Sequence, residues 1–207
     1  MDKLRSPGGC PWDAEQDHQS LLKYLLEESY EFIEAVEDED RIAMQEELGD
    51  LLLQVFFHAR VAEEHKSAPF NIEDVAKGIA DKLERRHPHV FGDISVKDST
   101  EVVENWEKLK ASEKGRSSAI EGVPLAQPAL PLIAKLLDRA ANLDYQLNIN
   151  KDLQLNENSD SVAFGNLMVG LIAQAVELGI DPEASLRNAA KTLIRDIEAY
   201  QQGRINP

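Results

Sequence analysis

Cysteine is nearly absent from the 207 residues: Cys10 stands alone, so no internal disulfide can form, and neither a CxxC pair nor a Cys/His quartet with zinc spacing exists. A reducing, cytoplasmic setting fits that usage. Glycine is scarce at 11 residues and strand-type alternation is equally sparse, which argues against a sheet-rich fold. Long apolar runs are missing too. None approaches the roughly 20 residues of a membrane span, and Met1-Asp2-Lys3-Leu4-Arg5 is not followed by the apolar core of a secretion signal. Positive charge is the last deficit, with 22 Lys plus Arg against 38 Asp plus Glu and a net charge of −16. So negative a surface repels phosphate backbones and anionic lipid, and neither nucleic acid nor membrane is an expected partner. A polyanionic substrate would be admitted only together with bound divalent cations.

Apolar residues make up 43% of the chain and recur at helical spacing through most of it, so the expected fold class is all-α. After a loop carrying Pro7-Gly8-Gly9 and Cys10-Pro11-Trp12, the Ser20 hydroxyl is expected to cap a helix running to about Asp38. Leu22, Leu25, Leu26, Ser29, Phe32, Ile33 and Val36 form its packing stripe, with Glu27, Glu28, Glu31 and Glu34 mostly on the other side. A turn near Asp38-Glu39-Asp40 leads to a second helix, about Ile42 to Glu64. Leu48, Leu51, Leu52, Leu53, Val55, Phe56, Phe57 and Ala59 cover nearly its whole circumference, the pattern of a buried helix. Asn71 is placed to cap a third, which ends before Pro88, and a fourth from about Thr100 to Lys114 carries Trp106. Gly, Ser and Pro gather between Gly115 and Pro131. They mark a linker at 116–130 between units 1–115 and 131–207.

The second unit echoes the first. Gly49-Asp50-Leu51-Leu52 has its counterpart in Gly165-Asn166-Leu167-Met168, and Asn71-Ile72-Glu73-Asp74 in Asp181-Pro182-Glu183-Ala184. Apolar positions persist between the copies while charged ones vanish: Glu47 becomes Ala163, Asp50 becomes Asn166, Lys82 becomes Thr192 and Arg86 becomes Asp196.

Glu28 and Glu31 leave the first helix within one turn of each other, and Glu47 and Asp50 repeat that spacing on the second. Two helices therefore offer four carboxylates, the donor type of magnesium and equally of manganese. Glu-rich helix faces are ordinarily just solvated, and the first helix alone proves little. Glu47 and Asp50 weigh more, because their helix is otherwise nearly all apolar and an unpaired carboxylate there is costly. From Glu27 to Asp50 there are eleven acids and one base, Arg41, so a metal ion is the most economical counter-charge. Lys82 and Arg86 share a face at the end of the third helix, with Arg85 beside them, and suit phosphate oxygens; the plainer role is to offset that helix's dipole. His58 lies in line with Asp50 and Gln54 and reads as a hydrogen-bonded core histidine. Trp12 and Trp106 read first as packing residues, with base stacking as the alternative.

Glu27-Glu28-Ser29-Tyr30-Glu31, followed by Glu47-Leu48-Gly49-Asp50, resembles the E-E-x-x-E…E-x-x-D signature of the MazG-type nucleoside triphosphate pyrophosphohydrolases. Cys10-Pro11-Trp12-Asp13, Glu46-Glu47-Leu48-Gly49-Asp50-Leu51-Leu52 and Lys82-Leu83-Glu84-Arg85-Arg86-His87-Pro88-His89-Val90-Phe91 are similar to further blocks of that family, in the same order. The resemblance covers residues 1 to about 115. It implies an all-α helical bundle of the all-alpha NTP pyrophosphatase type, followed by a degenerate second MazG-like unit. Where that unit's first metal helix would be sought stands Leu137-Asp138-Arg139-Ala140-Ala141-Asn142-Leu143-Asp144-Tyr145, with no E-E-x-x-E, so the unit is expected to be catalytically silent.

The resemblance further implies hydrolysis of a nucleoside triphosphate to its monophosphate and pyrophosphate. It makes Glu28, Glu31, Glu47 and Asp50 ligands of Mg2+ (or Mn2+) and Lys82, Arg85 and Arg86 the hold on the triphosphate, while Glu27, which shares a helix face with Glu31, is expected to orient the water. A homodimer is the expected assembly. Two rivals stand beside this reading. A di-iron carboxylate bundle would use Glu15-x-x-His18 and Glu84-x-x-His87. A non-catalytic helical interaction module would leave the acids as a solvated face.

Overall fold

A computed structural model describes residues 1–114, 120–141, 154–157 and 159–201. Among these residues there are ten helices and no strand: α1 (Asp2–Arg5), α2 (Pro11–Glu15), α3 (His18–Glu37), α4 (Arg41–Ala62), α5 (Ile72–Arg86), α6 (Pro88–Phe91), α7 (Ser99–Lys114), α8 (Ala129–Ala141), α9 (Ser161–Glu177) and α10 (Pro182–Gln201). The all-α expectation is met. The chain divides into two compact units, Met1–Lys110 and Ala111–Pro207.

Capping chemistry sets most of the boundaries. Asp17, not Ser20, is the N-cap of α3: its Oδ1 accepts from the Ser20 amide at 2.7 Å, while the Ser20 hydroxyl accepts from the Asp17 amide at 3.0 Å. The expected cap is thus the third residue of a reciprocal box, because an equally good capping side chain lies three residues upstream of it. Asn71 does cap α5, accepting from the Glu73 and Asp74 amides at 2.8 and 3.0 Å. Asp181 repeats that geometry at the start of α10, taking the Glu183 and Ala184 amides at 2.9 and 3.0 Å. The two caps occupy matched positions of the internal repeat.

Between α3 and α4, Glu39 adopts φ +56°, a left-handed conformation that lets the Asp40 amide reach back to the Ala35 carbonyl at 3.0 Å. Asp40 then caps α4 through the Ile42 and Ala43 amides. So short a reversal forces the two helices to run antiparallel, and their interface is the most extensive in the first unit. Leu21 of α3 is fully buried, and Phe57, Ala59 and Ala62 of α4 are nearly so. Burying one such leucine contributes about 1.5–3 kcal/mol.

The N-terminal segment is fastened over the far end of this hairpin. The Arg5 guanidinium donates to the backbone carbonyls of Asp13 and Gln16, pairs with Glu64 at 2.8 Å and lies over the Phe57 ring. Trp12 meets Tyr24 and Phe57 edge-on. The Cys10-Pro11-Trp12-Asp13 block is therefore a packing device here, although one side of Trp12 remains open to solvent.

One expectation fails. A helix apolar all round should be buried, yet α4 is buried within this chain only at Gln54, Phe57, Ala59 and Ala62. Leu48 and Leu52 are each 54% exposed and Phe56 41%. Neighbours α3 and α5 cover two sides of α4 and leave a third apolar side without cover from the described residues of its own unit.

In the second unit α8, α9 and α10 pack on one another. Gly170, Ile172 and Ala173 of α9 are buried, and Gly179 closes α9 at φ +69°, with the Ile180 amide reaching the Ala175 carbonyl. This is the same reversal that Glu39 makes after α3.

Candidate metal centre

Helical spacing and the tight α3–α4 turn do the assembly. With the helices antiparallel, the middle of α3 faces the first half of α4, and one carboxylate oxygen each from Glu28, Glu47 and Asp50 lies within 4.8 Å of the others. All three side chains are half-buried. No other group of three potential metal ligands this close occurs among the described residues. Glu31 is exposed and lies outside that group of three, although its charge acts on both Glu28 and Glu47. The structure thus brings together three of the four acids singled out as ligands.

Electrostatics mark the cluster as short of positive charge. Burial pushes the Glu28 carboxyl above its usual range, and the charges of Asp50, Glu31, Glu47 and Glu27 push it further. Glu47 is raised likewise, by burial first and then by Glu31, Asp50 and Glu46. Its Oε2 is buried with no hydrogen-bond partner. An orphaned buried carboxylate oxygen, pointing among like charges, is the state that a hard divalent cation relieves. The residues present fit such an ion.

The remaining predicted residues are placed differently. Glu27 is exposed beside Glu28 and lies outside the group of three, although its charge acts on Glu28. Lys82 is half-buried and Arg85 exposed. Arg86 is only 7% exposed, with its guanidinium 5.2 Å from the centre of the Trp106 ring. That ring also receives His87 edge-on. A cavity of about 250 Å³ is lined by Pro88 and His89 of α6, Ile94, Val96, and Asn105 and Leu109 of α7. In the second unit the matched residues are chemically unlike ligands: Ala163 carries no donor, Asn166 is exposed, and the Thr192 hydroxyl donates to the Asn188 carbonyl. Of the segment Leu137–Tyr145, residues 142–145 lie outside the described residues.

The di-iron alternative loses its ligand pairs. Glu15 ends α2 and His18 begins α3, so the two do not share a helix face. His87 terminates α5 with its ring nitrogen on the Leu83 carbonyl at 2.7 Å. His18 is instead bonded to His58, Nδ1 to Nδ1 at 2.8 Å. Sequence reading placed His58 on the polar line of Asp50 and Gln54 but did not find this partner. The short turn was the available signal, since it sets the register that places the start of α3 beside the end of α4.

The sequence profile of the MazG nucleotide pyrophosphohydrolase domain matches residues 16–91, the span that carries all four carboxylates and the Lys82–Arg86 segment. The chain is 38% identical to a nucleoside triphosphate pyrophosphohydrolase/pyrophosphatase MazG of Thermotoga maritima, over 98% of its own length and 83% of the relative's. It is 44% identical to an uncharacterized 26.1 kDa protein of Streptomyces cacaoi, over 92% of the chain and 75% of that protein. Identity to a nucleoside triphosphate pyrophosphohydrolase of Escherichia coli K12 is 45%, over 70% of the chain and 56% of that longer protein.

The raised carboxyls give the cation-free protein a distinctive acid dependence. A carboxyl with a higher pKa in the folded state than in the unfolded chain penalises folding at neutral pH. The penalty disappears as pH falls through the raised values to the ordinary 4.5. Glu64, lowered by Arg5, has the opposite sign: its contribution is present above its ordinary value and is lost only as pH falls through the lowered one. With divalent cations chelated, the urea midpoint is therefore expected to rise between pH 7 and about pH 5 before falling in stronger acid. Glu47→Gln should raise the midpoint at pH 7 and flatten that rise. A midpoint that falls steadily from pH 7, or is lowered by Glu47→Gln, contradicts the crowding of charge described above.

Proposed function

The chain belongs to the MazG nucleotide pyrophosphohydrolase family, and from that membership we propose that it hydrolyses nucleoside triphosphates to the nucleoside monophosphate and pyrophosphate. The observation that carries this reading is the half-buried carboxylate cluster, whose orphaned Glu47 oxygen calls for a cation and through it for a polyphosphate. Without a counter-ion a net charge of −16 would turn such a substrate away.

In this reading Glu28, Glu31, Glu47 and Asp50 hold Mg2+, and Mn2+ would serve as well. The bound ion supplies charge neutralisation on the phosphate oxygens and lowers the pKa of the attacking water. Glu27, one residue from the cluster and open to solvent, orients that water and takes up its proton. The water oxygen bonds to the α-phosphorus, the bond from that phosphorus to the α,β-bridging oxygen breaks, and pyrophosphate leaves. Lys82 and Arg85 steer the triphosphate. Arg86, stacked on Trp106, contributes a fixed positive charge rather than a mobile grip. The apolar cavity along α6 and α7 takes the nucleoside end.

The uncovered apolar side of α4 supports a homodimer. Leu48, Leu52, Leu53, Val55 and Phe56 lie on the same helix as Glu47 and Asp50, so a second copy seated there also completes the walls of the site. The second unit is assigned a packing role without catalysis, supported by the replacement of Glu47 and Asp50 by Ala163 and Asn166. Lone Cys10 and the absence of any single helix long and apolar enough to cross a membrane, among the described residues, agree with a cytosolic place of work.

Hydrolysis in 18O-labelled water tests the reaction. The label is expected in the nucleoside monophosphate, with one pyrophosphate per turnover and dependence on Mg2+. Glu47→Gln and Asp50→Asn should each lower kcat by about 100-fold or more. Release of orthophosphate, or full activity in both variants, contradicts the assignment. For the assembly, Leu52→Asp should halve the mass measured by light scattering, and a wild-type chain that is already monomeric removes the dimer.

A further inference from the structure

The α3–α4 hairpin is joined at one end by the Asp38–Asp40 turn and carries mutually repelling carboxylates along its middle. Nothing covalent closes its other end. There His18, in the first turn of α3, meets His58, near the end of α4, with their Nδ1 atoms 2.8 Å apart. The ring planes differ by 6° and the centroids lie 5.1 Å apart. That centroid distance is close to the nitrogen separation plus two ring radii, about the largest value the nitrogen contact permits. The rings therefore meet edge to edge in nearly one plane, not face over face.

This geometry counts protons. Two bare nitrogens at that separation would oppose lone pair to lone pair, and two N–H groups would collide, so the contact holds one proton and no more. It also excludes a metal bridging the pair, because the two lone-pair axes point at each other instead of converging on a third point. The Nε2 of His58 is buried without a partner, which favours the tautomer with its proton on Nδ1. Burial and the facing His18 ring both hold the His58 pKa below its usual value, in keeping with a neutral His58.

We propose that His18 and His58 form a single-proton clasp that closes the open end of the hairpin against the repulsion of its own acidic cluster, and so holds Glu28, Glu31, Glu47 and Asp50 at the separation a divalent cation needs. The two histidines are positioning residues, acting through the α3–α4 register and not by contact with the ion. Without the clasp the hairpin keeps the Asp38–Asp40 turn and, at its far end, the buried Leu21 and Phe57 and the Arg5–Glu64 pair, but the register across the cluster loosens and the carboxylates move apart until a cation draws them back, which weakens binding. This role rests on the reading of the four acids as a cation site.

The test combines a spectroscopic signature with metal affinity, using the full chain. In 15N-histidine NMR one ring proton should couple to the Nδ1 nitrogens of both His18 and His58. Mn2+ binding, followed by electron paramagnetic resonance well below the unfolding temperature, should weaken roughly tenfold in His58→Leu. His58→Asn, whose amide reaches the Nδ1 position, should restore it to near the wild-type level. Should His58→Leu fail to fold, His18→Leu at the exposed side carries the same comparison. Unchanged Mn2+ affinity in the leucine variant, an asparagine variant as weak as leucine, or two rings each protonated on Nε2 alone overturns the clasp. A wild-type chain that shows the shared proton but binds no Mn2+ overturns the cation reading, and the positioning role with it, while leaving the hydrogen bond standing.

Discussion

Repulsion among Glu28, Glu31, Glu47 and Asp50 is the constraint around which the first unit is built. Bringing like charges together in a half-buried space opposes folding, and the structure meets that cost with fastenings on either side of the cluster. The left-handed Glu39 and its backbone bonds tie the helices at one end. Leu21, Phe57, the Arg5–Glu64 pair and the histidine contact tie them at the other. The cluster is thus crowded with like charge, and in the proposed reading a divalent ion relieves it. In that reading, stability given up there is the counterpart of affinity for the ion.

The same helix that presents two of the acids leaves an apolar side uncovered. Its sequence suits burial on every side, yet the described neighbours within the unit supply two. Placing the missing cover in a second copy couples assembly to the site, because Glu47 and Leu48 are adjacent on the chain. The second unit keeps the helical order, the Asp181 cap and the reversal after α9 while lacking Glu47's and Asp50's counterparts.

Much of this was legible beforehand, for local reasons. Helix class follows from apolar spacing, the Asn71 cap from side-chain chemistry, and the pairing of acids within each helix from a three-residue period. What escaped was tertiary. Ser20 and Asp17 are both competent caps, and only the box geometry decides between them. Apolar periodicity shows that a surface wants cover without saying what covers it, so the expectation that α4 is buried left open what would cover it. Arg86 looks like a free cation in the sequence, whereas its stacking on Trp106 depends on a contact twenty residues away. The His18–His58 contact likewise depends on register, which no single helix encodes.

The most direct test of the central claim is anomalous diffraction from crystals of the full chain grown with Mn2+. The account predicts a manganese peak between α3 and α4, about 2.1 Å from oxygens of Glu28, Glu47 and Asp50. A peak elsewhere, or none while those carboxylates stay clustered, would contradict it.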